Sequence, residues 1–201
     1  MKNEDMDEIK ILNPWLSIWV QPRETISRIT AAQPLKMVLL LGVLTGIELC
    51  FSFFSSKENI DQFSLMKVLL IVLLAGPIVG IGWIFIFSAL IKIVGYFLGG
   101  CGTILNICAA VACGNLPIIC GLPFSILTVL LLFKMPATEI PAFIQTFMYA
   151  ILWIWSFFIM LNCLMQVQGF FSLWRAFANV LLAELIIPIL LFMAAGFSMF
   201  K

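Results

Sequence analysis

From Leu65 to Leu98 the chain is apolar almost without a break, with Lys67 and Lys92 its only charges. As a single helix that run would reach about 50 Å at 1.5 Å per residue. A bilayer's hydrocarbon core is about 30 Å thick and is crossed by about 20 apolar residues. A soluble domain could not cover such a stretch, because 63% of the residues are hydrophobic and only 10% charged, which leaves a mean hydropathy of +1.16. The chain reads as an all-α, polytopic membrane helical bundle.

Turn and proline signals divide it into about five transmembrane helices. The first span is Leu35 to Phe54, opened by Pro34 and closed by SSKENIDQ. The second runs from Leu65 to Leu98, with a hinge at Gly76 and Pro77, since proline removes an amide donor and crowds the carbonyl four residues back. GGCGT, Gly99 to Thr103, ends it. From Thr103 to Phe133 the run is broken at Asn115 and Pro117 and is too short for two crossings and a turn. It reads as an interfacial or half-inserted segment to about Asn115, then a crossing from Pro117. KMPATEIP, Lys134 to Pro141, is a loop, the fourth span is about Phe143 to Val167, GFFSLWRA turns the chain, and the fifth span is about Phe177 to Met199.

These spans form one membrane domain, 35–201, behind a cytoplasmic segment, 1–34, and no second soluble domain is expected. The start, MKNEDMDEIKI, is acidic and lacks the basic-then-apolar order of a cleaved signal peptide. With the amino terminus inside, the cytoplasmic side holds Lys2, Lys10, Arg23, Arg28, Lys36, Lys92 and Arg175, against Lys57, Lys67, Lys134 and Lys201 outside. That bias places the amino terminus in the cytoplasm and the carboxyl terminus outside.

Histidine is absent, which removes His-based general bases, Ser-His and Cys-His pairs, and His-containing metal sites. The six cysteines lie almost wholly inside apolar runs and read as reduced packing residues. No enzyme, cofactor or metal site is expected. A formal charge of +1 offers no basic stripe for nucleic acid.

Ahead of the first span stands NPWLSIWVQPRETISRI, residues 13 to 29. Pro22 prevents one continuous helix, so two short pieces with a break at Val20 and Gln21 are expected. Trp15, Ile18 and Trp19 share a face of the first piece. In the second, Pro22 suits the first turn and Glu24 pairs with Arg28, with Ile26 and Ile29 opposite. The stretch reads as an in-plane amphipathic anchor whose recognition surface is Trp15, Trp19, Pro22, Arg23 and Arg28. Inside the spans, Glu48 with Thr45 and Ser52 makes a polar stripe that should face the bundle. Glu184 follows Asn179 and could reach Lys92, Asn162 or Gln166. A carboxylate in hydrocarbon costs several kcal/mol unless it is protonated or paired, so such residues mark either helix glue or an ion route. Small-xxx-small spacings at Gly42–Gly46, Gly76–Gly80 and Gly95–Gly99 suit close helix packing within the chain or between copies.

The segment NPWLSIWVQPRETISRI, the GP at Gly76–Pro77, the GGCGT at Gly99–Thr103 and the NLP at Asn115–Pro117 together resemble the Yip domain family, the Ypt/Rab-interacting membrane proteins, over residues 13 to about 200. The resemblance implies five spans and a cytosolic amino terminus. In eukaryotic members it also implies roles in vesicle trafficking through Rab GTPases and other family members. The short region ahead of the first span is like the prokaryotic form, for which the family supplies a fold and a membrane location but no settled biochemical role. Two functions stand as expectations. One is a non-enzymatic adaptor or organiser binding lipids, other membrane proteins or a second copy of itself. The alternative is a small transporter or channel for ions, protons or small solutes, built on Glu48, Glu184 and the broken helices.

Overall fold

The computed structural model describes residues 14–134 and 140–199. The acidic amino-terminal run and most of the KMPATEIP loop lie outside the described residues. Among these the elements, in chain order, are α1 Pro14–Ser17, α2 Pro22–Ala31, α3 Leu35–Phe54, α4 Lys57–Ile60, α5 Leu65–Phe97, α6 Ile104–Gly114, α7 Leu116–Ile119, α8 Leu122–Lys134, α9 Ile140–Gln168 and α10 Leu173–Met199, with no strand. The molecule is a helical bundle. Among the described residues four stretches are long and apolar enough to cross a membrane: α3, α5, Leu116–Lys134 and Ile144–Gln168. The fifth long helix, α10, has 27 residues, a length of about 40 Å. Met66, Leu73, Ile78, Ile86 and Ile154 point outward and are mostly exposed, an outer surface suited to acyl chains and not to water.

Several boundaries differ from the sequence reading. Lys134 closes α8 and Pro141 lies in the first turn of α9, so neither belongs to the loop; a proline is well placed there, where its missing amide has no helical partner anyway. Leu173 to Ala176 are helical too, which shortens the turn between the last two helices. Gly169, at φ +70°, ends α9, and Phe170 N donates to the Met165 carbonyl at 3.0 Å. Gly99, at φ +83°, ends α5 in the same way, with Gly100 N on the Gly95 carbonyl at 2.7 Å. Both ends close through a left-handed residue that glycine adopts without strain.

The tightest pairing joins α3 to α5. A Cβ on Gly46 would strike the Gly76 carbonyl, and one on Gly80 would strike the Gly42 carbonyl and the Gly46 backbone. Two of the small-residue motifs therefore interlock inside one chain, the close packing within the chain that their spacing suits. In the third, Gly95 lies against Gln168 of α9 and Asn179 of α10, while nothing lies near the Cβ position of Gly99. Helix α5 runs unbroken through Pro77, and Gly76 serves the approach of α3.

The broken element enters the middle of the bundle. Helix α6 is buried from Ile107 to Gly114 among α2, α3, α5 and α9, so it does not lie on a membrane surface. The small side chains of CAAVACG let four neighbours surround it. Thr103 starts it, accepting from Asn106 N at 3.4 Å. The chain then turns at Asn115 and leaves as α7 and α8, whose far end packs with Phe54, Ile60, Val68 and Val72 in a second apolar cluster. At the break Ile119 N donates to the Asn115 carbonyl at 3.0 Å and Ser125 N to the Gly121 carbonyl at 3.2 Å. Ser156 Oγ donates to the Gly114 carbonyl at 2.5 Å. The interruption is thus a turn whose backbone is largely bonded within the bundle, while the buried Asn115 Nδ2 has no partner among the described residues.

If the interlock sets this frame, Gly80→Ala lowers unfolding stability by about 1–3 kcal/mol, the usual cost of overpacking, and Gly82→Ala, whose Cβ meets nothing within 4 Å, does not. Unfolding of the detergent-purified protein checks both; equal stability of the two variants would mean the helices do not meet at these glycines.

Candidate functional site

Helices α1 and α2 form a platform docked on the bundle. Ile18 and Ile26 are fully buried and Ile29 nearly so, because the apolar positions of α2 fall on the side facing α9 and α6. Thr25 Oγ1 donates to Ser17 Oγ at 2.8 Å and ties the two pieces across the break at Gln21. Arg23 Nε donates to Asn162 Oδ1 at 3.0 Å, and Cys163 Sγ donates to the Pro22 carbonyl at 3.8 Å. Of the five residues expected to form a recognition surface, Arg23 and Pro22 thus also hold the platform in place, and Trp19 packs half-buried against the core. Trp15 and Arg28 face outward, as do Leu16 and Val20, at 70% and 81% exposure, well placed to enter lipid. The expected Glu24–Arg28 ion pair does not form among the described residues. Instead both line a cavity of about 370 Å³ between α2 and the start of α3, with Gln33, Lys36, Ile29 and Met37.

A second polar group lies deep in the bundle. Glu48 and Thr45 face inward, 1% and 2% exposed, as the stripe predicted, while Ser52 is half-buried at its edge. The Tyr149 hydroxyl donates to Glu48 Oε1, and Ser125 Oγ donates to the same oxygen at 3.4 Å. Ser125 Oγ and Tyr149 Oη are 2.6 Å apart, and Gln145 Nε2 donates to Ser125 Oγ at 3.3 Å. Sequence reasoning missed these three partners. The available signal was Gln145 and Tyr149 four apart on one face of an apolar span, with Ser125 and Thr128 three apart in another. Glu48 Oε2 and Thr45 Oγ1 have no partner among the described residues. The cluster joins α3, α8 and α9, and its chemistry suits helix association.

The remaining candidates do not assemble with Glu48. Lys92 is exposed. Asn162 is committed to Arg23 and to the Phe158 carbonyl at 2.9 Å, and Gln166 is exposed. Glu184 reaches none of them and makes no hydrogen bond or ion pair among the described residues. It lines a cavity of about 400 Å³ with Asn115, Ser156, Trp83 and Trp153. Asn179 is fully buried against Gly95, near Gln168, whose Oε1 accepts from Gly102 N at 3.2 Å. Among the described residues no three ligating side chains come together as a metal site, and the six cysteines are free.

A double-mutant cycle tests the buried cluster. Glu48→Ala and Tyr149→Phe, measured singly and together by unfolding in detergent, should couple by about 1–2 kcal/mol, and Glu48→Gln, which keeps an acceptor, should cost less than Glu48→Ala. Additive single effects would remove the interaction.

Neither a comparison with curated proteins nor one with solved structures found a match. The family model described as Yip1 domain matches residues 16–196, from the platform through all the long helices. The chain, a multi-pass integral membrane protein, belongs to the Yip1 domain family.

Proposed function

We propose that this chain is a non-enzymatic adaptor or organiser, which binds membrane proteins or lipids through its amino-terminal platform. The observation that carries this reading is the docked α1–α2 unit. Its inner face is buried and bonded to α9, while Trp15, Leu16 and Val20 face outward and Arg28 lines a cavity. A surface held rigid in this way loses little conformational entropy on binding. In this reading residues 1–34 act as a cytoplasmic recognition segment on the membrane domain 35–201, and the protein sits in a prokaryotic cytoplasmic membrane with its amino terminus inside and its carboxyl terminus outside. The excess of Lys and Arg assigned to that side supports the orientation.

A second reading, transport of an ion, proton or small solute, has its support in the cavity beside Glu184 and Asn115, because an unpaired carboxylate at membrane depth is costly to keep. Gly76, Pro77, Asn115 and Pro117 would then act as hinges. The sealed Glu48 cluster and the bonded backbone at the break favour the adaptor.

Extraction into nanodiscs, with mass spectrometry of co-purifying membrane proteins, separates the two. Trp15→Ala with Arg28→Ala should lower recovery of a specific partner about tenfold, equivalent to about 1.4 kcal/mol, and Glu184→Gln should leave it unchanged. Equal recovery from wild type and the double variant would defeat the adaptor, and a proteoliposome flux lost in Glu184→Gln would establish the transporter.

A further inference from the structure

The cavity between α2 and α3 contains a charge pattern the platform does not use. Arg28 and Lys36 bring two cations to its rim and Glu24 one carboxylate, and no ion pair joins Glu24 to either cation among the described residues. All three side chains are exposed. Ile29 and Met37 give it an apolar wall, and the buried Ser17 and Thr25 line it beside them. Gln33, at φ +57°, folds the chain between the two helices so that these groups face one space.

The height of the cavity limits what it can hold. Lys36 is the second residue of α3, so the charged rim lies where the first span enters the bilayer, at the level of lipid headgroups. One turn beyond Lys36 and on the same side of α3, Leu40 is half exposed and offers an acyl chain an apolar surface next to the rim. A soluble phosphate compound would leave that surface unused.

We propose that this cavity binds one aminophospholipid of the adjacent leaflet, its phosphate held by Arg28 and Lys36 and its primary ammonium by Glu24. Two cations and one carboxylate match a headgroup that carries a phosphate diester and a terminal ammonium. A purely anionic headgroup would meet Glu24 as a like charge, and a trimethylammonium group has no N–H to donate to it. The proposal rests on the lipid-binding part of the adaptor reading and names the ligand class for it.

The test is native mass spectrometry of the full chain released from nanodiscs of equal parts phosphatidylethanolamine, phosphatidylglycerol and phosphatidylcholine. Wild type should retain phosphatidylethanolamine about fivefold over either competitor, a difference of about 1 kcal/mol. Arg28→Gln with Lys36→Gln should lose the retained lipid. Glu24→Gln should keep a lipid but turn the preference toward phosphatidylglycerol, and Arg28→Lys should preserve the wild-type pattern. No preference in wild type, or a preference unmoved by Glu24→Gln, overturns the proposal. So does displacement of the lipid by millimolar soluble phosphoethanolamine, since the acyl chains would then contribute nothing. If lipid selectivity fails while Trp15→Ala alone still abolishes recovery of a protein partner, this inference falls and the adaptor stands.

Discussion

Hydrocarbon offers no hydrogen bonds, and every element of this protein answers to that condition. Amides and carbonyls in the spans must be satisfied within the chain, which leaves helices as the way through. The same solvent removes the usual reason for helices to associate, because acyl chains are as apolar as leucine. Association has to come from close contact and from polar bonds, and the bundle uses both. Gly42, Gly46, Gly76 and Gly80 let α3 and α5 meet backbone to backbone, while Glu48, Ser125 and Tyr149 join α3, α8 and α9 through hydroxyl–carboxylate bonds.

The broken element shows the condition at its strictest. A chain that stops being helical inside a membrane exposes polar backbone, and here the turn after Gly114 closes on itself and on Ser156. Because α6 is surrounded on all sides, its small residues are a packing requirement: larger side chains at Ala109, Ala110 or Ala112, each at most 1% exposed, would push neighbouring helices apart. Burying α6 also gives α2 something to rest on, since α2 packs against α6 and α9 together. The platform is held by the interior, and its geometry follows from how the bundle is filled.

Polar residues in the spans consequently have unequal standing. Glu48 is enclosed and bonded through one oxygen; Glu184 opens onto a cavity with no bond among the described residues; Asn179 and Gln168 meet at Gly95, where α5 and α9 end and α10 begins. They share a residue class and a place in apolar runs, yet they serve separate local tasks. At the membrane surface, the charged rim formed by Glu24, Arg28 and Lys36 has the freedom that interior groups lack.

The pattern of apolar runs by itself determined the class, the first span at Leu35–Phe54, the break at Asn115 and Pro117, and the two-piece anchor, because each depends on length, hydropathy or a proline within a few residues. The likeness to a family was legible as well, being carried by short local motifs. Only tertiary structure decided which faces met. Whether Gly46 packs on Gly80 or on another copy, whether Glu48 meets Tyr149 a hundred residues away, and whether Arg23 faces a partner or Asn162 all depend on helix rotation and depth. A nearly uniform apolar sequence encodes those weakly: when every face of a helix is compatible with lipid, hydrophobic periodicity no longer says which side is inside.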